Sequence, residues 1–67
     1  MATFYEVQEK TGPSTWANTW ASEDNWAYYN TEAEALSDIE YFLANYGGAR
    51  ENFRIAPVAA SIAFKGL

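Results

Sequence analysis

The sequence predicts one small α+β domain, in which an antiparallel sheet of three to five strands carries one amphipathic helix packed on one face. Residues 3–10 and 15–21 alternate in polarity on either side of a turn, as the strands of a hairpin do. Residues 31–46 instead repeat apolar side chains at intervals of three and four, as a helix on a core does. Because these elements must share one core, we expect the order ββ(β)αβ within a single domain over residues 1–67.

The composition limits the classes of function. The 67 residues are 18% aromatic, which helps so short a chain to form a core, because each aromatic side chain buries about 150–250 Å². There is no Cys and no His, which removes disulfides, thiolate ligands, the usual zinc ligand and the usual general base. We therefore expect a protein that is not an enzyme and has no catalytic residues, no cofactor and no metal site.

Charge and hydropathy limit the partners. Nine acids against four bases give a net charge of −5, which argues against direct binding to a nucleic-acid backbone. No basic-then-apolar leader opens the chain, and no apolar run approaches the roughly 20 residues that span a bilayer. We expect a cytoplasmic protein whose partner is another protein, with no contact to a membrane.

The first strands are indicated by residue type and by turns. Residues 3–10 combine aromatic and branched side chains with polar ones, and the turn Thr11-Gly12-Pro13-Ser14 separates them from residues 15–21. We expect a hairpin with a loop of about four residues. We expect a second turn at residues 22–25, after which residues 26–29 should pair, as a short third strand, with the second.

The helix has signals at both ends. Thr31 can cap its first turn, and Glu34 three residues later completes a capping box. Gly47-Gly48 supplies a left-handed stop after Tyr46. The predicted inner stripe consists of Ala35, Leu36, Ile39, Phe42, Leu43 and Tyr46.

The chain after the helix contains one more strand. Phe53-Arg54-Ile55 predicts it, and Pro57 either ends it or confines it to a sheet edge. Residues 61–65 alternate, with Ile62 and Phe64 on one side. This leaves two alternatives for residues 59–67, a last strand or a loose end.

The tryptophans provide the first candidate binding surface. Alternation along the second strand places Trp16, Asn18 and Trp20 on one face and small side chains on the other. If the small side chains face the helix, these residues and Trp26 are available as anchors for a partner. The alternative is that at least one tryptophan fills the core. Asn18 favours the exposed alternative, because a buried amide needs hydrogen-bond partners.

The outer face of the helix is the second candidate surface. Glu34, Asp38 and Tyr41 lie on it and can receive a basic patch of another protein. The alternative is an ordinary solvated helix face. The acidic turn at residues 23–25 has too few oxygen ligands at the required spacing for a calcium loop.

The order of motifs resembles that of small accessory proteins encoded by bacteriophages and prophages. The motifs are Tyr5-Glu6-Val7-Gln8, the W-A-N-T-W segment at residues 16–20, Thr31-Glu32-Ala33-Glu34-Ala35 and Phe53-Arg54-Ile55. Size, acidity and element order are also similar to some anti-CRISPR inhibitors, which block a surface of a bacterial defence complex by stoichiometric binding. The resemblance implies a phage-borne binding protein in the host cytoplasm and identifies no site residue.

Two functions follow from the sequence. The first is a small acidic protein-binding module, of the phage-inhibitor type, that acts by occupying a basic surface on a host complex. The alternative is a self-associating structural or accessory protein with no inhibitory role. The first is compatible with a monomer, and the second requires a homodimer.

Overall fold

The computed structural model describes residues 3–21 and 26–63, and for residues 62 and 63 it describes the backbone alone. The strands are β1 (Thr3–Lys10), β2 (Trp16–Ala17) and β3 (Phe53–Ala59). The helices are α1 (Glu32–Tyr46) and the short α2 (Ala60–Ala63), and a 3-10 helix covers Arg50–Asn52 before β3. The order strand-strand-helix-strand and the antiparallel sheet confirm the predicted α+β class.

The sheet has three strands in the order β2-β1-β3. β1 pairs with β3 along its length, from Thr3 opposite Ala59 to Glu9 opposite Phe53. β1 and β2 form the predicted antiparallel hairpin, whose loop is closed by a 2.9 Å bond from the Thr11 N–H to the Thr15 carbonyl. β2 is much shorter than the predicted strand at residues 15–21, because it pairs only at residues 16 and 17.

After Ala17 the chain leaves β1 and returns to it at Tyr29. There Tyr5 and Tyr29 exchange two backbone hydrogen bonds of 2.8 Å. The predicted third strand at residues 26–29 is thus reduced to one bridge, and it pairs with the first strand rather than the second. The predicted turn at residues 22–25 lies outside the described residues.

The core lies between α1 and the β1–β3 pair. Its buried centre consists of Val7, Ala35, Ile39 and Phe53, and five partly buried side chains pack around it: Trp20, Tyr29, Phe42, Leu43 and Ile55. The predicted helix stripe is correct at its centre and wrong at two positions. Leu36, at the margin of the stripe, is 37% exposed, and Tyr46, the last residue of α1, is 75% exposed.

Both ends of α1 follow the sequence prediction. The Thr31 hydroxyl accepts the Glu34 N–H at 3.2 Å and also lies 3.2 Å from the Glu34 carboxylate, to which it can donate. At the other end Gly47, with a φ of 80°, donates its N–H to the Leu43 carbonyl at 3.0 Å. Positive φ is a conformation that glycine adopts without steric cost, so the helix ends where the glycine pair begins.

Pro57 does not end β3, which continues to Ala59. Tyr5 uses its N–H and its carbonyl for Tyr29, so its pairing with Pro57 on the other side involves no backbone hydrogen bond. The proline nitrogen therefore faces the open edge of the sheet, where a missing donor costs nothing.

The chain continues from β3 into α2 rather than into another strand. The strand alternative for the tail is therefore wrong at residues 61–63, and residues 64 and 65 lie outside the described part. A search of the described helices for one long and apolar enough to cross a membrane found none.

Candidate functional site

The structure separates the tryptophans that the sequence placed on one face. Trp16 lies opposite Lys10, which is on the face of β1 that points away from Val7 and the helix. Trp20 follows the end of β2 and packs on the helix side, with its ring centroid 5.5 Å from that of Phe42 and 5.9 Å from that of Phe53. The expectation of a shared face is wrong because the strand ends at Ala17 and alternation stops there.

Asn18 is the residue at which the chain turns out of β2. Its Oδ1 accepts the backbone N–H groups of Trp20 at 3.2 Å and Ala21 at 3.1 Å. Its Nδ2 donates to the Glu6 carboxylate at 3.1 Å and lies 3.5 Å from the Ala27 carbonyl. The half-buried amide is thus satisfied within the chain, and the inference from Asn18 to an exposed strand face does not hold.

Trp16 is half-buried beneath a ladder of polar side chains. The Arg54 guanidinium lies 4.6 Å from the centre of the Trp16 ring, a cation–π distance. Arg54 Nε donates to Gln8 Oε1 at 2.6 Å, and Gln8 Nε2 donates to Glu6 Oε1 at 2.8 Å. These contacts hold Arg54 over the indole, so the chain itself covers part of the surface that the sequence offered to a partner.

Trp26 is the most exposed of the three tryptophans, at 42%. Its ring meets Phe4 edge to face at 5.4 Å and lies 5.5 Å from Tyr28. The predicted anchors therefore divide into one core residue, one residue covered by an arginine and one exposed residue. They do not form a single aromatic surface.

The outer face of α1 does bring its predicted residues together. Glu34, Asp38 and Tyr41 are all exposed, Tyr41 at 66%. Their spacing of four and three residues places them along one side of the helix. The segment from Glu32 to Tyr46 contains four acids and no lysine or arginine, so its negative charge is not balanced within the helix.

Tyr29 joins this face from the strand side. Its hydroxyl donates a 2.6 Å hydrogen bond to Asp38 Oδ2. Burial raises the pKa of Tyr29 well above its ordinary value, and the hydrogen bond and negative charge of Asp38 raise it further, because both favour the neutral phenol. Tyr29 therefore remains a donor at neutral pH and fixes the orientation of the Asp38 carboxylate.

An open groove of about 500 Å³ lies at this point. It is lined by Tyr29, Ala33, Glu34, Ser37 and Asp38. Ser37 could have been predicted from helical spacing, because it stands three residues after Glu34. Tyr29 was missed because its position depends on the bridge to Tyr5, and no local pattern indicates that pairing.

Among the described residues, no group of three or more His, Cys, Asp or Glu side chains is arranged to hold a metal ion. Comparison with protein-family models, with curated proteins and with solved structures found no match.

Proposed function

We propose that this chain is a small acidic binding protein that docks the outer face of α1 onto a basic surface of a partner protein. The observation that carries the proposal is the groove in which Glu34 and Asp38 stand together and Tyr29 holds Asp38 in place. A lysine or arginine of a partner can enter this groove and meet two carboxylates.

The chemistry of the surrounding face suits the same kind of partner. The uncompensated charge of α1 attracts a positive surface from a distance and accelerates encounter with it. Tyr41, beside the groove, adds an aromatic ring of the type that anchors interfaces and stacks with arginine. Charge would select the partner class, and the groove would fix the register.

A binding protein of this kind acts by occupancy and requires no catalytic group. The resemblance to phage accessory proteins and anti-CRISPR inhibitors supplies a concrete form of this function, in which the partner is a host defence complex in the bacterial cytoplasm. Such complexes bind nucleic acid through basic surfaces, and an acidic helix face can compete for a surface of that charge.

Self-association is the second candidate function, and a different observation favours it. Trp26 remains 42% exposed, with Phe4 and Tyr28 beside it, so a second copy could bury this aromatic group. The outer face of α1 does not favour a symmetric dimer, because two copies would oppose acids to acids. Sedimentation separates the two functions, since only self-association makes the mass depend on concentration.

A basic probe tests the proposed face. The probe is a fluorescein-labelled peptide of alternating arginine and glycine, and its anisotropy is followed as the protein is added. Removing two exposed charge contacts, each worth about 0.2–1 kcal/mol, by the double variant Glu34→Gln/Asp38→Asn should weaken binding about two- to thirtyfold.

The matched control is Glu32→Gln/Glu51→Gln, which removes the same charge from two exposed positions outside the groove. Both variants must retain the circular dichroism of the wild type. Equal losses of affinity in the two variants would mean that net charge alone attracts the peptide and that the groove has no role.

The inhibitory form has its own test in cells. Expression of the chain in a bacterium with an active CRISPR defence should raise the plating efficiency of a targeted phage, and Glu34→Gln/Asp38→Asn should reduce that effect more than the control does. Unchanged plating efficiency with the wild-type chain, in cells shown to contain it, would refute the inhibitory function. It would not affect the conclusion drawn from peptide binding.

A further inference from the structure

The outer edge of β3 is a surface that neither proposed function uses. β3 is an end strand of the sheet, and such an edge can recruit another extended chain through its backbone groups. We infer that Arg50 and Pro57 close this edge to strand addition by a second copy of the chain. The inference is independent of the proposed function, because it concerns backbone groups rather than the acidic helix face.

The register shows which residues face the edge. The backbone N–H and carbonyl of Tyr5 both bond to Tyr29, on the side away from β3. Alternation along β1 therefore directs the backbone groups of three other residues toward β3: Phe4, Glu6 and Gln8. Their partners on β3 are Val58, Ala56 and Arg54. The backbone groups of Phe53, Ile55, Pro57 and Ala59 therefore point to the open side.

Arg50 occupies the first of these four positions. The Phe53 N–H donates to the backbone carbonyl of Arg50. The Phe53 carbonyl accepts a 2.7 Å bond from Arg50 Nη1, which closes a loop over the beginning of the edge. Both groups that an incoming strand would need at this position are engaged by one residue.

Pro57 removes the donor at the third position. Its nitrogen faces the edge and carries no hydrogen, so an added strand finds an acceptor there but no donor. Ile55 presents both an N–H and a carbonyl to the open side, but Pro57 separates it from Ala59, the next outward-facing residue. Strand addition requires a repeating set of such pairs. With Phe53 engaged by Arg50 and no donor at Pro57, no two neighbouring positions of this edge offer both groups.

The opposite edge is protected by its length. β2 consists of two residues, and the chain then turns away at Asn18. Short strands of this kind offer little template for pairing. Within the described residues, both edges of the sheet therefore disfavour strand addition. We expect any partner to be recognised through side chains.

Opening the edge tests the inference. The variant Arg50→Ala/Pro57→Val frees the Phe53 carbonyl and restores an N–H at position 57. Sedimentation equilibrium from micromolar to millimolar concentration measures the mass, and hydrogen exchange measures protection at Ile55. Restoring at least two backbone hydrogen bonds at the interface should tighten dimerisation about tenfold or more over the wild type. Ile55 exchange should also slow as concentration rises.

The control is Lys10→Gln, which removes the same charge from an exposed residue of β1, the central strand of the sheet. It should leave the mass unchanged. The inference is overturned if the folded double variant stays monomeric over the whole range, or if the wild type itself dimerises with protection of Ile55. If the double variant does not fold, the single variants Arg50→Gln and Pro57→Thr provide the same readouts, each with a smaller expected gain.

Discussion

Replacing Asn18 tests whether this residue stabilises the fold or instead contacts a partner, as the sequence predicted. Asn18→Ala removes the acceptor used by the Trp20 and Ala21 N–H groups and the donor used by the Glu6 carboxylate. The two backbone bonds contribute about 1 kcal/mol each and the bond to a carboxylate about 1.5–3 kcal/mol. Because the side chain is half-buried, water replaces some of these hydrogen bonds in the variant. We therefore expect the free energy of unfolding to fall by about 2–3 kcal/mol.

That loss is large for this chain. At about 0.05–0.15 kcal/mol per residue, 67 residues are stabilised by roughly 3–10 kcal/mol. Urea unfolding followed by circular dichroism measures the change. A free energy of unfolding within about 0.5 kcal/mol of the wild type, as is usual for surface substitutions, would refute the structural role and return Asn18 to the list of partner contacts.

Asn18→Asp separates the two halves of the interaction. The carboxylate keeps an acceptor for the Trp20 and Ala21 N–H groups but replaces the donor, which lies 3.1 Å from Glu6, with a like charge. Repulsion between the two carboxylates should destabilise this variant at neutral pH, and added salt should recover part of the loss because it screens exposed charges. Asn18→Ala should lack this dependence on salt.

Three further predictions concern the core, the cap and the groove. Ile39→Ala should cost about 2–5 kcal/mol because Ile39 is fully buried, whereas Leu36→Ala at the exposed margin of α1 should cost far less; urea unfolding compares them. Thr31→Ala should lower the stability by about 1 kcal/mol, whereas Thr31→Ser should keep the cap and most of that stability; thermal unfolding compares the two variants. Because the folded-state pKa of Tyr29 is raised, the stability it contributes is present below the ordinary tyrosine pKa near 10 and is lost as pH rises above it. Tyr29→Phe should therefore show a shallower loss of stability in alkaline urea titrations, and an equal slope would contradict the contact with Asp38.

The sequence predicted the elements whose causes are local. Thr31 and the glycines after Tyr46 determine the ends of α1 through their own hydrogen bonds and backbone angles, so their neighbours suffice to identify them. The hairpin was predictable because turn residues separate two segments of the same period. The extent of β2 was not, because Asn18 ends it through contacts with Glu6 and Ala27, and the latter is nine residues distant.

The candidate site was partly predictable for the same reason. Helical periodicity brings Glu34, Asp38 and Tyr41 to one face without any knowledge of the rest of the chain. The part played by Tyr29 depends on its backbone bridge to Tyr5, which is a tertiary contact. The predicted shared face of Trp16 and Trp20 is wrong, because alternation does not continue past Ala17, where the strand ends.

The central claim is that the outer face of α1, and not the tryptophans, receives a basic partner. A ¹⁵N-edited NMR titration of the wild-type chain with the arginine–glycine peptide tests this most directly, because it reports on every amide and on each indole N–H at once. We predict the largest shift changes at Glu34, Ser37, Asp38 and Tyr41, with the indole signals of Trp16 and Trp20 unmoved. Shifts concentrated on the indoles and on β1, with α1 unchanged, would contradict the claim.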